Sequence, residues 1–400
     1  MKKSLFLVGA LAFFSGLPAG DAWGETLDEK VQNILDEHYQ TYGKDEFFSA
    51  IQLSTKVGDG ETKTYSVGHK SHSPNSPAID ANSLFQIGSI TKSFTAALLL
   101  QAEGAGKVTL SDNFVTYLPE YDRWSRVTIT QLLNMTSGLP NYSDSPTVNY
   151  GFAYSPDRIW RDEELVDVVY PQPNLPAPPL NIGYAYTNTA YTLGGLILEK
   201  VYGQSYAEII DEKLLQLLEL KNTFYPIPSY PPGILARMVE GNNFNPYTNP
   251  ELTGRPFDSS NLSWAGAAGG LVANTQDIID WVRALFIEDQ LLTPEQKEKL
   301  TQLVSLTSGE PIAGTTATET RGFGLGVVQG YHEDWGQYWF YQGETIGHRS
   351  FYLYFPCNEI IISALFNSAV NDQNNNVKLL LVSVYQALLD DQPNLVCKSE

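Results

Sequence analysis

Strand-like segments stand at both ends of this 400-residue chain and helical ones fill its middle; that order limits the fold more than any other feature. Near the N-terminus "FFSAIQLSTKVGDGETKTYSVGHK" alternates in polarity and turns at Gly58-Asp59-Gly60, as a β-hairpin does. Near the C-terminus "RGFGLGVVQGY", "QYWFYQGE", "RSFYLYFP" and "EIIISALFN" are β-rich and separated by turn residues. Strands so far apart in sequence are most simply gathered into one sheet by the two ends of the chain meeting. A helix is predicted beside each end. "TLDEKVQNILDEHYQTYG" carries Leu27, Val31, Ile34 and Leu35 at helical spacing, and "NVKLLLVSVYQALLDD" carries Val377, Leu380, Leu381, Val384 and Leu388. The expected fold is α+β: a mainly antiparallel sheet flanked by terminal helices, with a mostly helical lobe inserted between its strands. A single domain over 25–400 is expected, its α/β part at about 25–90 and 265–400 and its helical lobe at about 91–264.

The most informative helix lies in "SLFQIGSITKSFTAALLL". From residue 89 to about 102, Ile90, Phe94, Ala97 and Leu98 share one face, while Ala96, Leu99 and Leu100 cover another. A helix apolar nearly all round is buried. Ser89 and Lys92 stand at its start, one turn apart, which places their Cβ atoms about 5–6 Å from each other. A serine hydroxyl is a poor nucleophile until a base takes its proton. Lysine is such a base only when neutral, and burial favours the neutral form. The helix start also offers backbone N–H groups to a developing oxyanion. The bare pattern Ser-x-x-Lys occurs by chance in most long proteins, and taken alone it reads as a helix cap with a surface lysine. What weighs against that reading is a lysine placed inside an apolar helix, which is costly unless it is used or paired.

Further along, Thr128 with Gln131 and Ser205 with Glu208 form capping-box patterns. "TAYTLGGLILEKVYG" places Ala190, Leu193, Ile197 and Val201 on one side and stops at Gly203. Two irregular stretches, 139–184 and 226–264, are rich in proline, asparagine and glycine; they are read as rims or lids of a site, against the alternative of unstructured surface insertions.

Charge and cysteine usage exclude several functions. The net charge of −20 leaves no basic cluster to neutralise phosphates, so neither nucleic acid nor an anionic membrane is expected as a partner. Lys2 and Lys3, the apolar run Leu5 to Phe14 and the small residues Ala19, Gly20, Ala22 and Gly24 read as a cleavable signal over 1–24. Export to the periplasm or medium is expected, with no lipid-bearing cysteine and no later membrane span. Cys357 and Cys397 can pair there or remain free thiols; a bridge would close a loop of about 40 residues, worth roughly 4 kcal/mol in the chain-entropy model. Two cysteines without a His-x-x-x-His pair make no zinc site, and neither metal nor cofactor is expected. No Gly-x-Ser-x-Gly elbow occurs, and none of His38, His69, His72, His332 and His348 sits in a recognisable catalytic context.

Several segments, in order, resemble the serine β-lactamase-like family, in the branch of class C β-lactamases, D-alanyl-D-alanine carboxypeptidases and related esterases. "LFQIGSITKSFTA" is similar to its nucleophile motif, "VTITQLLNMTSGLPNY" to its "TIRHLLTHTSGL" stretch, and "YAYTNTAYTLGGLILEKVYGQSY" to its Tyr-x-Asn motif with the helix that follows. "GAAGGLVANTQDIIDWV" and "GFGLGV" resemble later landmarks, and the likeness runs over roughly 45–370. The resemblance implies that Ser89 is acylated by an amide, lactam or ester carbonyl and that Lys92 is its proton-transfer partner. Tyr186 is implied as general base or proton shuttle and Asn188 as a hydrogen-bond donor to substrate. A Tyr186 phenolate at neutral pH needs a downward shift of about 3 units, part of which Lys92 could supply.

The family's third motif, Lys-Thr-Gly or His-Thr-Gly, is where this chain departs. Tyr341, Gln342 and Gly343 stand there as substrate-contacting residues, followed by Glu344, whose backbone N–H would complete an oxyanion hole with that of Ser89. The cation that helps hold a substrate carboxylate is gone. Arg349 and His348 lie near in sequence; Arg349 could substitute for it, or be a solvated strand residue. Met135 replaces the family's histidine in "LLNMTSGL", a packing change. The expected function is a secreted serine hydrolase, monomeric, acting through a Ser89 acyl-enzyme on a small ester, amide or D-amino-acid peptide. The alternative is a penicillin-binding or regulatory protein that keeps the fold with little turnover.

Overall fold

The computed structural model describes residues 25–155, 157–172, 180, 183–244, 252–257, 261–370 and 375–397. The signal read at 1–24 lies outside them. Helix α1 (Leu27–Tyr42) starts at Thr26, which exchanges capping-box bonds with Glu29. Strands β1 (Ala50–Val57) and β2 (Lys63–Gly68) form the expected hairpin. The helices that matter to the site are α2 (Thr91–Gly104), α3 (Asn188–Tyr202) and α4 (Thr275–Phe286). The chain then returns to strands: β3 (Leu303–Ser305), β4 (Pro311–Ile312), β5 (Arg321–Phe323), β6 (Val328–His332), β7 (Gly336–Glu344), β8 (Arg349–Phe355) and β9 (Ile360–Phe366). It closes with helix α5 (Val377–Asp391).

Among the described residues, nine strands form one antiparallel sheet in the order β2-β1-β9-β8-β7-β6-β5-β3-β4. The two ends of the chain meet at the β1–β9 pair, where Ile51 faces Phe366 and Val57 faces Ile360. Helices α1 and α5 cover one face through Val31, Leu35, Val377, Leu380 and Val384, packed on Ile51, Phe355, Ile362 and Phe366. On the other face α2 lies at the centre of the main core, with Phe94 stacked on Trp281 of α4 and Trp281 Nε1 donating to Ser93 Oγ at 2.8 Å. Every described α2 residue from Thr91 to Leu100 is buried.

The two irregular stretches are more ordered than an unstructured insertion. They contain helices Pro146–Tyr154, Asp162–Asp167 and Pro232–Leu235, with strands Gly241–Phe244 and Pro256–Phe257. Tyr142, Val148, Trp160 and Leu165 from the first stretch pack with Leu252 and Phe257 from the second, forming a small core of their own. Part of the proline-dense run, 173–179, lies outside the described residues. Cys357 and Cys397 are joined in a disulfide with Cα atoms 5.8 Å apart, tying the tail to the β8–β9 turn. Among the described residues no helix is long and apolar enough to cross a membrane.

Candidate active site

Ser89 sits in a single 3₁₀ turn, Gly88–Ile90, that leads into α2. It caps neither element, since neither helix start receives a side-chain cap bond. Its place is fixed by backbone packing instead. Gly88 has φ +47°, and a Cβ there would stand 2.6 Å from Glu344 O and 2.7 Å from Glu344 N. Any side chain on Gly343 would run into Ile87 O, to which Ser350 Oγ donates at 2.7 Å. Two glycines thus let the serine loop and the end of β7 lie backbone to backbone. The Glu344 peptide comes beside Ser89 for this reason.

Lys92 is fully buried and has no carboxylate partner among its contacts. Its Nζ lies 2.7 Å from Ala268 O, 2.7 Å from Asn188 Oδ1 and 3.0 Å from Ser89 Oγ. Loss of hydration pushes its pKa well below the ordinary lysine value. A neutral amine has two N–H bonds and one lone pair. Ala268 and Asn188 offer only acceptors on this side, so they take the two N–H bonds. In that neutral form the lone pair is left for the Ser89 hydroxyl, whereas an ammonium would donate to Ser89 Oγ. The Nζ also lies 4.9 Å from the centre of the Tyr186 ring.

Tyr186 Oη is 2.6 Å from Ser89 Oγ. The residue as a whole is 39% exposed, and its hydroxyl meets the serine. Burial of that hydroxyl pushes the phenol up to about 12, partly opposed by hydrogen bonding from Ser89 and by Tyr341. The downward pull expected of Lys92 is not found: desolvation of the phenol is the largest effect on Tyr186 and raises it. Tyr341 occupies the third-motif position that a cation holds in the family, with its hydroxyl buried and close enough to Tyr186 to affect it. No partner reaches hydrogen-bond geometry with the Tyr341 hydroxyl among the described residues.

Asn188 opens α3 and is held on three sides. Its backbone N–H donates to Asn141 Oδ1 at 3.0 Å, its Nδ2 donates to Ser143 Oγ at 2.8 Å, and its Oδ1 faces Lys92. Asn141, Ser143 and the Ala268 carbonyl were not singled out in the sequence. The first two lie in or beside the recognised "TSGLPNY" landmark, whose polar residues gave a signal that could have been followed. Ala268 acts through its main chain, which no side-chain pattern reports. The cleft over Ser89 is walled by Tyr142, Trp264, Ala265 and Gly269 together with Gly88 and Asn188. The two irregular stretches therefore do supply part of its rim.

Three other candidates are not brought to the cleft. Along β7 the odd residues Trp339, Tyr341 and Gly343 are buried toward the helices, whereas Gln342 is exposed on the opposite face beside Phe340 and Phe351. A period of two allows alternate residues, not three in a row, to face one site. Arg349 is neither a substitute cation nor solvated. It is fully buried, 2.8 Å from Glu46, and it donates to Ser368 O at 2.8 Å, Ser368 Oγ at 3.1 Å and Asn375 Oδ1 at 2.9 Å. His348 is buried with Nε2 3.0 Å from Val239 O, and burial lowers its pKa to about 4, so it carries no charge at neutral pH. Among the described residues no cluster of His, Cys, Asp and Glu could hold a metal ion.

The family model described as Beta-lactamase matches residues 56–385. Penicillin-binding protein 4* of Bacillus subtilis (strain 168) is 25% identical over 291 residues, which are 72% of this chain and 62% of that protein. The chain thus spans less than two thirds of that relative's length. D-alanyl-D-alanine-carboxypeptidase/endopeptidase AmpH of Escherichia coli (strain K12) is 24% identical over 311 residues, 76% of this chain and 74% of that one. In fold, the D-amino acid amidase of Ochrobactrum anthropi SV3 superposes with a TM-score of 0.74 at 22% identity, covering 92% of this chain and 99% of the other.

Proposed function

The chain belongs to the Beta-lactamase family, a family of serine hydrolases, and on that premise we propose that it is an exported enzyme forming an acyl-enzyme at Ser89. Its substrate is a small ester, an amide or a D-amino-acid peptide. The observation that carries this reading is the setting of Lys92, a buried amine between two carbonyl acceptors with its Nζ 3.0 Å from Ser89 Oγ and no carboxylate beside it. Lys92 takes the Ser89 proton as Oγ bonds to the substrate carbonyl carbon. The oxyanion forms against the backbone N–H groups of Ser89 and Glu344. Tyr186, a phenol at neutral pH, serves as a shuttle rather than a phenolate base. It passes its proton to the leaving nitrogen or oxygen and recovers one from Lys92 as the carbonyl–leaving-group bond breaks. Water then enters, gives a proton back along the same path, and releases the acid and free Ser89.

The third-motif position points to the substrate class. Tyr341 is neutral, and Arg349 is committed to Glu46. A substrate carboxylate beside Ser89 forgoes a charged hydrogen bond worth about 1.5–3 kcal/mol, roughly 10- to 150-fold in affinity. Amides and esters without a carboxylate next to the reacting carbonyl are therefore favoured over penicillins. The D-amino acid amidase that shares the fold makes D-amino acid amides the first substrates to try. The same missing cation is the one feature that favours the second reading, a penicillin-binding or regulatory protein with little turnover. Incubation with a fluorophosphonate, followed by peptide mass spectrometry, tests the nucleophile. A panel of D-amino acid amides, p-nitrophenyl esters, D-Ala-D-Ala peptides and nitrocefin tests the substrate. Adduct on Ser89 with turnover lost in Ser89→Ala is expected; turnover surviving in Ser89→Ala would overturn the mechanism.

A further inference from the structure

On the reverse of β7, away from Ser89, a groove opens where the first turns of α5 meet β7 and β8. Its floor is aromatic: Tyr338, Phe340 and Phe351 are only half-covered, although their neighbours Trp339 and Tyr341 on the other face of the sheet are buried. Its walls carry two exposed cations, Arg321 and Lys378, and the amide of Gln342. Among the described residues neither cation makes an ion pair or a hydrogen bond; the guanidinium of Arg321 is placed only 5.9 Å from the centre of the Phe340 ring. What sets this pair apart is that both cations line one groove with an aromatic floor. Other exposed or half-exposed lysines do find carboxylates, as in Lys30–Asp390 and Lys299–Glu103. Two unpaired cations and a half-covered aromatic floor therefore converge on one groove that the acyl-transfer chemistry does not use.

We propose that this groove is a second ligand site, for a small organic anion with a flat apolar body such as an arylcarboxylate. The aryl group lies on Phe340 and Phe351, which buries apolar surface from both partners. The carboxylate sits between the guanidinium of Arg321 and the ammonium of Lys378, where charge-assisted hydrogen bonds are about twice as strong as neutral ones. The amide of Gln342 supplies a further donor. This gives Gln342 a place in recognition, though not at the serine. One strand separates the two sites: Phe340 and Gln342 face the groove, and Tyr341 and Gly343 face Ser89. A ligand here does not compete with acylation.

The test is a calorimetric titration of the full mature chain with 2-naphthoate, with 2-naphthamide as the uncharged control. The proposal expects saturable binding at one site per chain, weakened tenfold or more in the double variant Arg321→Gln/Lys378→Gln and by a similar factor for the naphthamide. Both substituted residues are exposed, so the variant should keep its fold and its rate of Ser89 labelling. Binding of naphthoate should also persist after Ser89 has been blocked by fluorophosphonate. No saturable binding at millimolar naphthoate would overturn the proposal. So would equal affinity in the double variant, and so would loss of binding on blocking Ser89, which would move the ligand to the cleft. The double variant decides the matter whether or not Ser89 reacts.

Discussion

Lys92 and Arg349 are the buried lysine and the buried arginine among the described residues, and they are buried in opposite ways. Arg349 meets the Glu46 carboxylate at 2.8 Å, and Ser368 and Asn375 take its remaining donors. Its charge is matched, and its task is to join β8 to the loop before β1. Lys92 has no counter-charge, only two carbonyl oxygens and a hydroxyl. A cation left without a partner in the interior gives up its proton, since the charged form bears the whole loss of hydration. Burial with a partner makes a brace; burial without one makes a base.

The contrast breaks most visibly at Lys92. Lys92→Met keeps the volume and removes the base, and Ser89 acylation by a fluorophosphonate should fall by about 10²–10⁴-fold while the melting temperature stays near that of the parent. Unchanged labelling would place the base elsewhere. At Arg349 the expectation reverses. Arg349→Met strands the Glu46 carboxylate and should cost about 3–5 kcal/mol in denaturant unfolding, with labelling of the folded fraction unchanged. The double variant Arg349→Met/Glu46→Met should regain much of that loss.

His348 sharpens the comparison with a buried group that is neutral at rest. Burial holds its pKa at about 4, below the ordinary 6.5, so the unfolded chain takes up its proton first as pH falls. Its contribution to stability is complete above about pH 6.5 and is lost as pH falls through 4, about 3 kcal/mol in all. Urea unfolding at a series of pH values should show that slope in the parent and less of it in His348→Leu. The smallest effect is expected at Tyr341. Its hydroxyl is buried without a hydrogen-bond partner, so Tyr341→Phe should leave stability unchanged or slightly raised and slow acylation less than tenfold. A hundredfold loss would mean that Tyr341 moves a proton itself.

Much of this was legible in the sequence, for reasons that differ by residue. The closing of the sheet by both ends followed from where the strand patterns lie, and the reading of Ser89 with Lys92 rested on a lysine set in an apolar helix together with "YTN" and the ordered family landmarks. Arg349 was not legible as a brace, because its partner Glu46 lies far away in sequence and only the β1–β9–β8 pairing brings them together. Gln342 was placed in the cleft by matching three consecutive motif positions, although the strand alternation in the same letters allows only two of them to face it. The upward shift of Tyr186 depends on how much water its hydroxyl loses, which has no signature in "YTN". The Ala268 carbonyl is main chain and leaves none at all.

The central claim is that Lys92 is already neutral in the folded protein at ordinary pH. The rate of Ser89 adduct formation with a fluorophosphonate, followed by mass spectrometry from pH 5 to 11, tests it most directly. The account predicts a plateau from neutral pH upward and a fall on the acid side, with a midpoint well below the ordinary lysine value of about 10.4. A rate that climbs tenfold per pH unit through neutrality and levels only near 10.4 would contradict it.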